Sequence, residues 1–344
     1  MEKTVSIKDV AQKAGVSIST VSRVFNNGPS ITESTKRRVL QAVKELNYRP
    51  NFAAKALRDG TSKTIALVVP NISNPSYAMI AHGLESVVQA KNYNVILVNT
   101  NDDLAVEIQH VESLKNRLVD GFVFATAREG DQHINALINA DIPVVEVMRC
   151  SGETNAVATD NYKIGYEATK YLIEHGCKKI FMLSDDTKNI SFIPRTEGYR
   201  RALADYHLEH RPEYELYAHP TKPDELSTAV VNAIRKYGCP DAFFCANDSK
   251  ALGVYAAARK LNLRIPEDLA VFGVDNVEFT QFLDPPLTTI EQPFHAMGEK
   301  AAEVLLKEIE TKSGNGDEFR TFYRVVLPTK LIERQSVAAK PETD

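Results

Sequence analysis

No run of 18 apolar residues occurs in the chain, the length a membrane-spanning helix needs. The first residues, M-E-K-T-V-S-I-K, carry no secretory hydrophobic core. Both absences lead to the expectation of a cytoplasmic protein without a membrane partner. Cysteine is scarce. Cys150, Cys177, Cys239 and Cys245 form no C-x-x-C pair and lie in apolar segments, so buried reduced thiols are expected rather than disulfides or a metal site. Catalytic signatures are missing as well. No glycine is followed by lysine, which removes a Walker A loop, and the only G-x-G, Gly314–Gly316, lies in a polar loop. Neither H-E-x-x-H nor G-x-S-x-G is present. His207 and His210 are spaced i, i+3 without an evident carboxylate-and-cysteine neighbourhood and read as solvated. Neither catalysis nor a cofactor is expected.

What is present fits a soluble globular protein: 344 residues, 43% apolar and 25% charged, enough for two or three domains. The charge is unevenly spread. Residues 1–60 hold 11 Lys and Arg against 5 Asp and Glu, whereas the remainder holds 30 against 40. A basic head on an acidic body directs any polyanion to the head.

Within that head, Ile7, Val10, Ala11 and Ala14 recur at i, i+3, i+4 and i+7, one apolar face of a short helix. Gly15 breaks it, and Ser17 caps a second helix whose inward face is Val21, Val24 and Phe25. Two short helices joined by a Gly-containing turn describe a helix-turn-helix, with a plain helical hairpin as the alternative. The second helix leaves Ile18, Ser19, Ser22, Arg23 and Asn26 to face a partner, and such a helix fits the major groove of DNA. Asn26–Pro29 is a turn. Thr32 caps a third helix with Val39, Leu40, Val43 and Leu46 inward, closing a mini-core around Val10, Val21, Phe25 and Leu40. Arg49-Pro50 ends the unit. The next eight residues, N-F-A-A-K-A-L-R from Asn51 to Arg58, are too few to hold a helix alone in water, so they read as a linker that orders only against a partner.

The run A-x-x-A-G-V-S-x-x-T-V-S-R-V-x-N from Ala11 to Asn26, followed by L-N-Y-R-P-N and A-x-x-L, resembles the head of the lactose-repressor (LacI/GalR) family, and the likeness continues to about Ser336. The resemblance implies a transcriptional regulator, most often a repressor, that binds near-palindromic operator DNA as a homodimer. In the head it implies DNA contacts from Ser6, Ser17, Ile18, Ser19, Thr20, Ser22, Arg23 and Asn26. It also makes residues 51–62 a hinge helix, with Asn51, Ala54, Lys55 and Leu57 in the minor groove and Leu57 as an apolar wedge. A flexible tether with an incidental leucine is the alternative for that segment.

From Thr64 the pattern alternates strand and helix. Thr64–Pro70, Asn94–Asn99, Gly121–Ala125, Pro143–Met148, Lys179–Ser184, Ala242–Ala246 and Leu269–Val274 are short apolar runs, as strands buried on both faces should be. Helical segments separate them, and closing strands are expected within Thr321–Glu333. The fold expected is an N-terminal all-α helix-turn-helix head (1–50) on an α/β body (63–336) of two doubly wound parallel-sheet lobes, with a disordered tail at 337–344. By resemblance the body is periplasmic-binding-protein-like and the chain crosses between lobes three times. Lobe 1 would take about 63–160 and 294–322, lobe 2 about 161–293 and 323–334.

Ligands of open α/β sheets bind outside the carboxyl ends of the strands. Asn71–Tyr77, Arg128, Met148-Arg149, Asp160, Asp185, Asn247-Asp248 and Asp275-Asn276 fall there, although Asp185 and Asp248 equally suit helix caps. Arg195 in R-T-E-G-Y-R, Asn247 in A-N-D-S-K-A-L-G and Asp275 in G-V-D-N match the family motifs that hold the effector. Tyr77 and Phe192 are candidates for packing on its apolar face. Arg128, Arg149 and Arg195 together would make the cleft electropositive, which favours a sugar acid, then a neutral sugar, then a nucleobase or nucleoside. A solute-binding protein for a transporter and an α/β enzyme are the rival classes, and a nucleobase-responsive corepressor system is a further variant.

Overall fold

A computed structural model describes residues 5–25, 31–48, 60–116, 118–126, 128, 131–152, 154–185, 190–218, 223–312 and 322–339. The chain separates into two units, Met1–Ser62 and Lys63–Asp344.

The first unit holds α1 (Ile7–Ala14), α2 (Ile18–Phe25) and α3 (Glu33–Glu45). Ser6 opens α1 through a reciprocal box with Asp9, whose Oδ2 accepts from the Ser6 amide (2.8 Å) and hydroxyl (2.6 Å). Gly15 ends it in the left-handed region at φ 63°, which costs a glycine nothing and turns the chain toward α2. Val10, Ala11, Ala14, Val21, Val24, Val39 and Ala42 form the core. Leu40 was expected in it and is instead 47% exposed. The buried stripe of α3 runs through Val39, Ala42, Val43 and Leu46, and position 40 lies one residue's rotation off that face. Phe25 is only half-buried, tilted against Tyr48 with ring centroids 6.2 Å apart. The expected turn at Asn26–Pro29 and the segment 51–59 lie outside the described residues.

The second unit contains two six-stranded sheets. The first has the order β11-β5-β4-β3-β1-β2 from β1 (Thr64–Val69), β2 (Asn94–Asn99), β3 (Gly121–Phe124), β4 (Val144–Val147), β5 (Asn155–Thr159) and β11 (Arg324–Leu327), all parallel. Its faces are covered by α4 (Pro75–Val88) and α11 (Phe294–Lys312) on one side, and by α5 (Leu104–Lys115) and α6 (Gln132–Asn139) on the other. The second sheet has the order β12-β10-β9-β8-β6-β7 from β6 (Ile180–Ser184), β7 (Glu215–Tyr217), β8 (Ala242–Cys245), β9 (Ala270–Asp275), β10 (Thr288–Glu291) and β12 (Lys330–Ile332), with β12 alone antiparallel to its neighbour. It packs between α7 (Asn161–Glu174) with α8 (Phe192–Asp205) and α9 (Pro223–Tyr237) with α10 (Asp248–Leu261). Central strands such as β3 and β8 are buried at every residue, as a parallel sheet sandwiched by helices requires.

The chain passes between sheets after β5, after β10 and after β11. The third passage corrects the expected boundary at 322/323. Arg324–Leu327 pairs with β5, Arg324 opposite Ala156, so the crossing falls between Leu327 and Lys330. The tail expected to be disordered from 337 is corrected at its start, while residues 340–344 lie outside the described residues. Val337, placed in that tail, is buried against the second lobe's core, next to Ser336, whose hydroxyl donates to the Val271 carbonyl (2.6 Å). Cys239 is exposed in the turn after α9, unlike the buried thiols expected, whereas Cys177 and Cys245 are buried. Among the described residues no helix is long and apolar enough to cross a membrane.

Candidate functional site

In the body, strand ends and helix starts coincide, and this places polar side chains in one region. Asn74 caps α4, Asp103 caps α5, Asp160 caps α7 and Asn247 caps α10, each through a side-chain oxygen. The six body residues singled out from sequence, Tyr77, Arg149, Phe192, Arg195, Asn247 and Asp275, are all buried, at 3% to 9% exposure. They come from both lobes and lie close enough to act on one another. Burial pushes the Tyr77 hydroxyl up, and it feels Arg149 on its own lobe and Asp275 on the other. The lobes also touch directly, where the Ser191 hydroxyl donates to the Met148 carbonyl at 3.1 Å.

Arg195 is the most constrained of the six. Its Nε donates to Asn161 Oδ1 at 2.7 Å, Nη1 donates to the Ala246 carbonyl, and its guanidinium carbon sits 5.3 Å over the Phe192 ring. Burial pulls its basicity down, while Asp275, Asp248 and Tyr77 oppose that. The position depends on a close helix contact. Any side chain at Gly165 of α7 would run into the Arg195 carbonyl, and one at Gly198 of α8 into that of Tyr162. Asp275 ends β9 at φ 123°, a conformation L-residues rarely adopt. Burial pushes its carboxyl up to about 6 against the pull of Arg195 and of Gln292, whose amide donates to Oδ1 at 2.6 Å. Asn247 spends its Oδ1 on the Lys250 amide (3.0 Å), which leaves its NH₂ as the donor for a ligand.

Asp248 and Asp160 have structural roles. Asp248 is fully buried and accepts from the Val277 amide (3.0 Å) and the Thr289 hydroxyl (2.8 Å), tying α10 to β9 and β10. Asp160 caps α7, its Oδ1 taking the Lys163 amide. His210 is paired with Glu215 at 2.7 Å rather than simply solvated, because Glu215 also accepts both arms of Arg200.

The electropositive cleft expected from three arginines is not what the structure holds. Arg128 turns into lobe 1, donating to Asp102 Oδ1 (2.9 Å) and to the Asp102 carbonyl (3.0 Å), with Nη1 3.7 Å from the buried Glu107. Arg149 lies 3.4 Å from the same Asp102 oxygen. Glu107, Asp131 and His133 bring ligand atoms within 4.8 Å of one another, but His133 already bonds Glu107 at 2.7 Å and Arg128 supplies the neighbouring cation. His133 and Arg128 thus already face Glu107, although Glu107 Oε2 and Arg128 Nη1 make no hydrogen bond.

Three relevant residues were not foreseen. Asp102 follows β2 at its carboxyl end, where the strand-end rule points. Asn161 stands one residue past Asp160. Gln292 follows β10, a strand of four residues with little sequence signal, and it accepts the Thr159 hydroxyl (2.6 Å) while donating to Asp275.

In the head, α2 presents Ile18, Ser19 and Arg23 as exposed side chains, with Thr20 and Ser22 half-buried. Ser17 is committed as a cap, its Oγ accepting the Thr20 amide at 3.2 Å, and Ser6 is held by Asp9. Asn26, Asn51, Ala54, Lys55 and Leu57 lie outside the described residues.

Residues 6–51 match the model of bacterial regulatory proteins of the lacI family, and residues 169–337 match a periplasmic binding protein-like domain. Over 335 residues the chain is 34% identical to the HTH-type transcriptional repressor PurR of Aliivibrio fischeri (strain MJ11), covering 96% of this chain and 99% of that protein. The chain belongs to the LacI family. It is therefore a DNA-binding transcriptional regulator, with α1 and α2 as its helix-turn-helix. The NTD biosynthesis operon regulator NtdR of Bacillus subtilis (strain 168) is 36% identical over 96% of this chain and 99% of its own. Among solved structures, the transcriptional regulator CelR in complex with cellobiose superposes with a TM-score of 0.73 at 28% identity, covering 96% of this chain and 99% of that one. The Lac repressor dimer bound to operator and the anti-inducer ONPF gives a TM-score of 0.83 at 24% identity, over 98% and 100%, a likeness of fold.

Proposed function

We propose that this chain represses transcription by binding a near-palindromic double-stranded operator as a homodimer. On this proposal its operator affinity is set by a neutral, polyhydroxylated ligand, a sugar in the first place, held between the two lobes. The observation that carries this is the convergence of Tyr77, Arg149, Phe192, Arg195, Asn247 and Asp275, contributed by both lobes and all buried. Arg195 and Asn247 offer donors, Asp275 an acceptor, and Phe192 and Tyr77 flat apolar surfaces, the set that a ring of hydroxyls needs. Each arginine of the cleft has a carboxylate beside it, so a neutral sugar fits better than a sugar acid. The cellobiose complex of CelR supports the same class.

With the hydroxyls of Ser6 and Ser17 committed to helix starts, base readout falls to Ile18, Ser19, Ser22 and Arg23. Leu57, flanked by Asn51, Ala54 and Lys55, is the proposed minor-groove wedge. Support for the homodimer comes from β2, an edge strand that leaves Ile96 and Leu97 exposed, one on each face of the sheet. Apolar edges of this kind are normally covered.

Selection from random double-stranded DNA with the purified full chain tests the reading. The expected product is a near-palindrome with half-sites about 34 Å apart, or a multiple of that. Repeating the binding with neutral sugars, sugar acids and nucleobases should find one that changes affinity. Arg23→Ala should cost about 1–3 kcal/mol and relax one position in each half-site. No sequence preference in the selected pool would overturn the proposal.

A further inference from the structure

We propose that Asp102 selects the charge of the ligand: it closes Arg149 and Arg128 into ion pairs, so that the cleft rejects anions and admits neutral hydroxyl compounds. This rests on the effector-site reading above and names the residue that sets its ligand class.

The geometry is built around one oxygen. Asp102 follows β2 at φ 59°, directly after Asn101 at φ 54°. Asn and Asp are the non-glycine residues that adopt this left-handed conformation most readily. The loop is pinned on either side: Asn99 Oδ1 accepts the Ile72 amide at 2.9 Å, and Asp103 Oδ1 accepts the Ala105 amide at 2.8 Å. Held this way, Asp102 Oδ1 takes Nη2 of Arg128 at 2.9 Å and lies 3.4 Å from Nη1 of Arg149. On its far side Arg128 Nη1 lies 3.7 Å from Glu107, too far for a hydrogen bond, and Glu107 has no exposed side-chain surface and is itself bonded to His133 at 2.7 Å.

The result is a chain of alternating charge, Glu107, Arg128, Asp102, Arg149, that ends beside the buried Tyr77 of the proposed effector site. Burial works against the charge of Arg149, and Tyr77 and Asp102 more than offset it. An anionic group approaching the buried Arg149 would have to displace Asp102 or sit against its negative charge, which water screens in part because the Asp102 side chain is 40% exposed. A hydroxyl meets no such barrier. Three arginines near one cleft therefore do not make it an anion site, because one loop aspartate neutralises two of them.

The test uses the full chain, inorganic phosphate as the probe and thermal unfolding at constant ionic strength, compared with chloride. The wild-type protein should show little phosphate-specific stabilisation. Asp102→Asn should gain it, with phosphate bound about tenfold more tightly than by wild type, since a unit charge beside two guanidinium groups has been removed. Adding Arg149→Ala to that variant should remove the gain, which separates the cleft from the basic head. Should the asparagine variant fold poorly, Asp102→Ser serves the same comparison. Equal phosphate response in wild type and the Asp102 variant, or a gain that survives Arg149→Ala, would overturn the proposal. A failed ligand screen would count against the functional reading, whereas this measurement reads the Asp102 clamp itself.

Discussion

Asp275 shows how a single residue is held at a cost for the sake of a site. It ends a buried strand with a left-handed backbone, and its carboxyl is pushed up to about 6 by burial. The folded chain therefore binds that proton more tightly than the unfolded one. The stability this group contributes is full below the ordinary carboxylate range near 4 and is lost as pH rises through about 6. At neutral pH the charge is retained against the fold's own preference. Ligand binding should have the opposite slope, because only the ionised form offers a full acceptor to a hydroxyl. Affinity for the ligand is expected to fall by up to about tenfold per pH unit below 6 in wild type. In Asp275→Asn it should be weaker and flat over the same range, as isothermal titration calorimetry from pH 5 to 8 would show; a parallel slope in that variant would assign the titration to another group. Arg195, Asn247 and Asp275, the proposed ligand contacts, stand out in the sequence because each sits in a distinctive local motif. Asp102 was not, since its role arises from side chains that converge from three separate loops.

At the scale of elements, the contact of α7 with α8 decides where Arg195 sits. Gly165 and Gly198 let the two helices approach until backbone meets backbone, and Asn161 on α7 then reaches Arg195 on α8. Gly165→Ala should force α8 outward. The expected cost is about 1–3 kcal/mol in stability, as for other overpacked sites. The ligand response should be lost while operator binding without ligand stays within a few-fold of wild type. Thermal unfolding and a ligand titration on operator DNA check this together, and a normal response would mean that α8 position does not matter. The long apolar strands were readable because parallel strands covered on both faces carry continuous apolar runs. β5, β7 and β10 were missed, being three to five residues long and containing small or polar side chains. The crossovers are hidden for a different reason. Thr159 and Gln292 meet at 2.6 Å although 133 positions apart, and no local periodicity encodes such a pairing.

For the whole molecule, the proposed effector site and the helix-turn-helix belong to different units of the chain. A ligand can change operator affinity only by as much as it prefers one arrangement of the protein over another. Within the body the proposed reading gives that preference a route. Asp275 is bonded to Gln292 at the second passage between lobes, and Gln292 to Thr159 at the first, so a ligand that pulls on Asp275 acts on the segments that set the lobe angle. Arg195 holds the centre of this arrangement and makes no contact with DNA on the proposed reading. The most direct measurement is operator affinity with and without ligand, for wild type and Arg195→Ala side by side. The mutant should bind operator within a few-fold of ligand-free wild type and show no change when ligand is added; a mutant that responds to ligand as wild type does would place the effector site elsewhere.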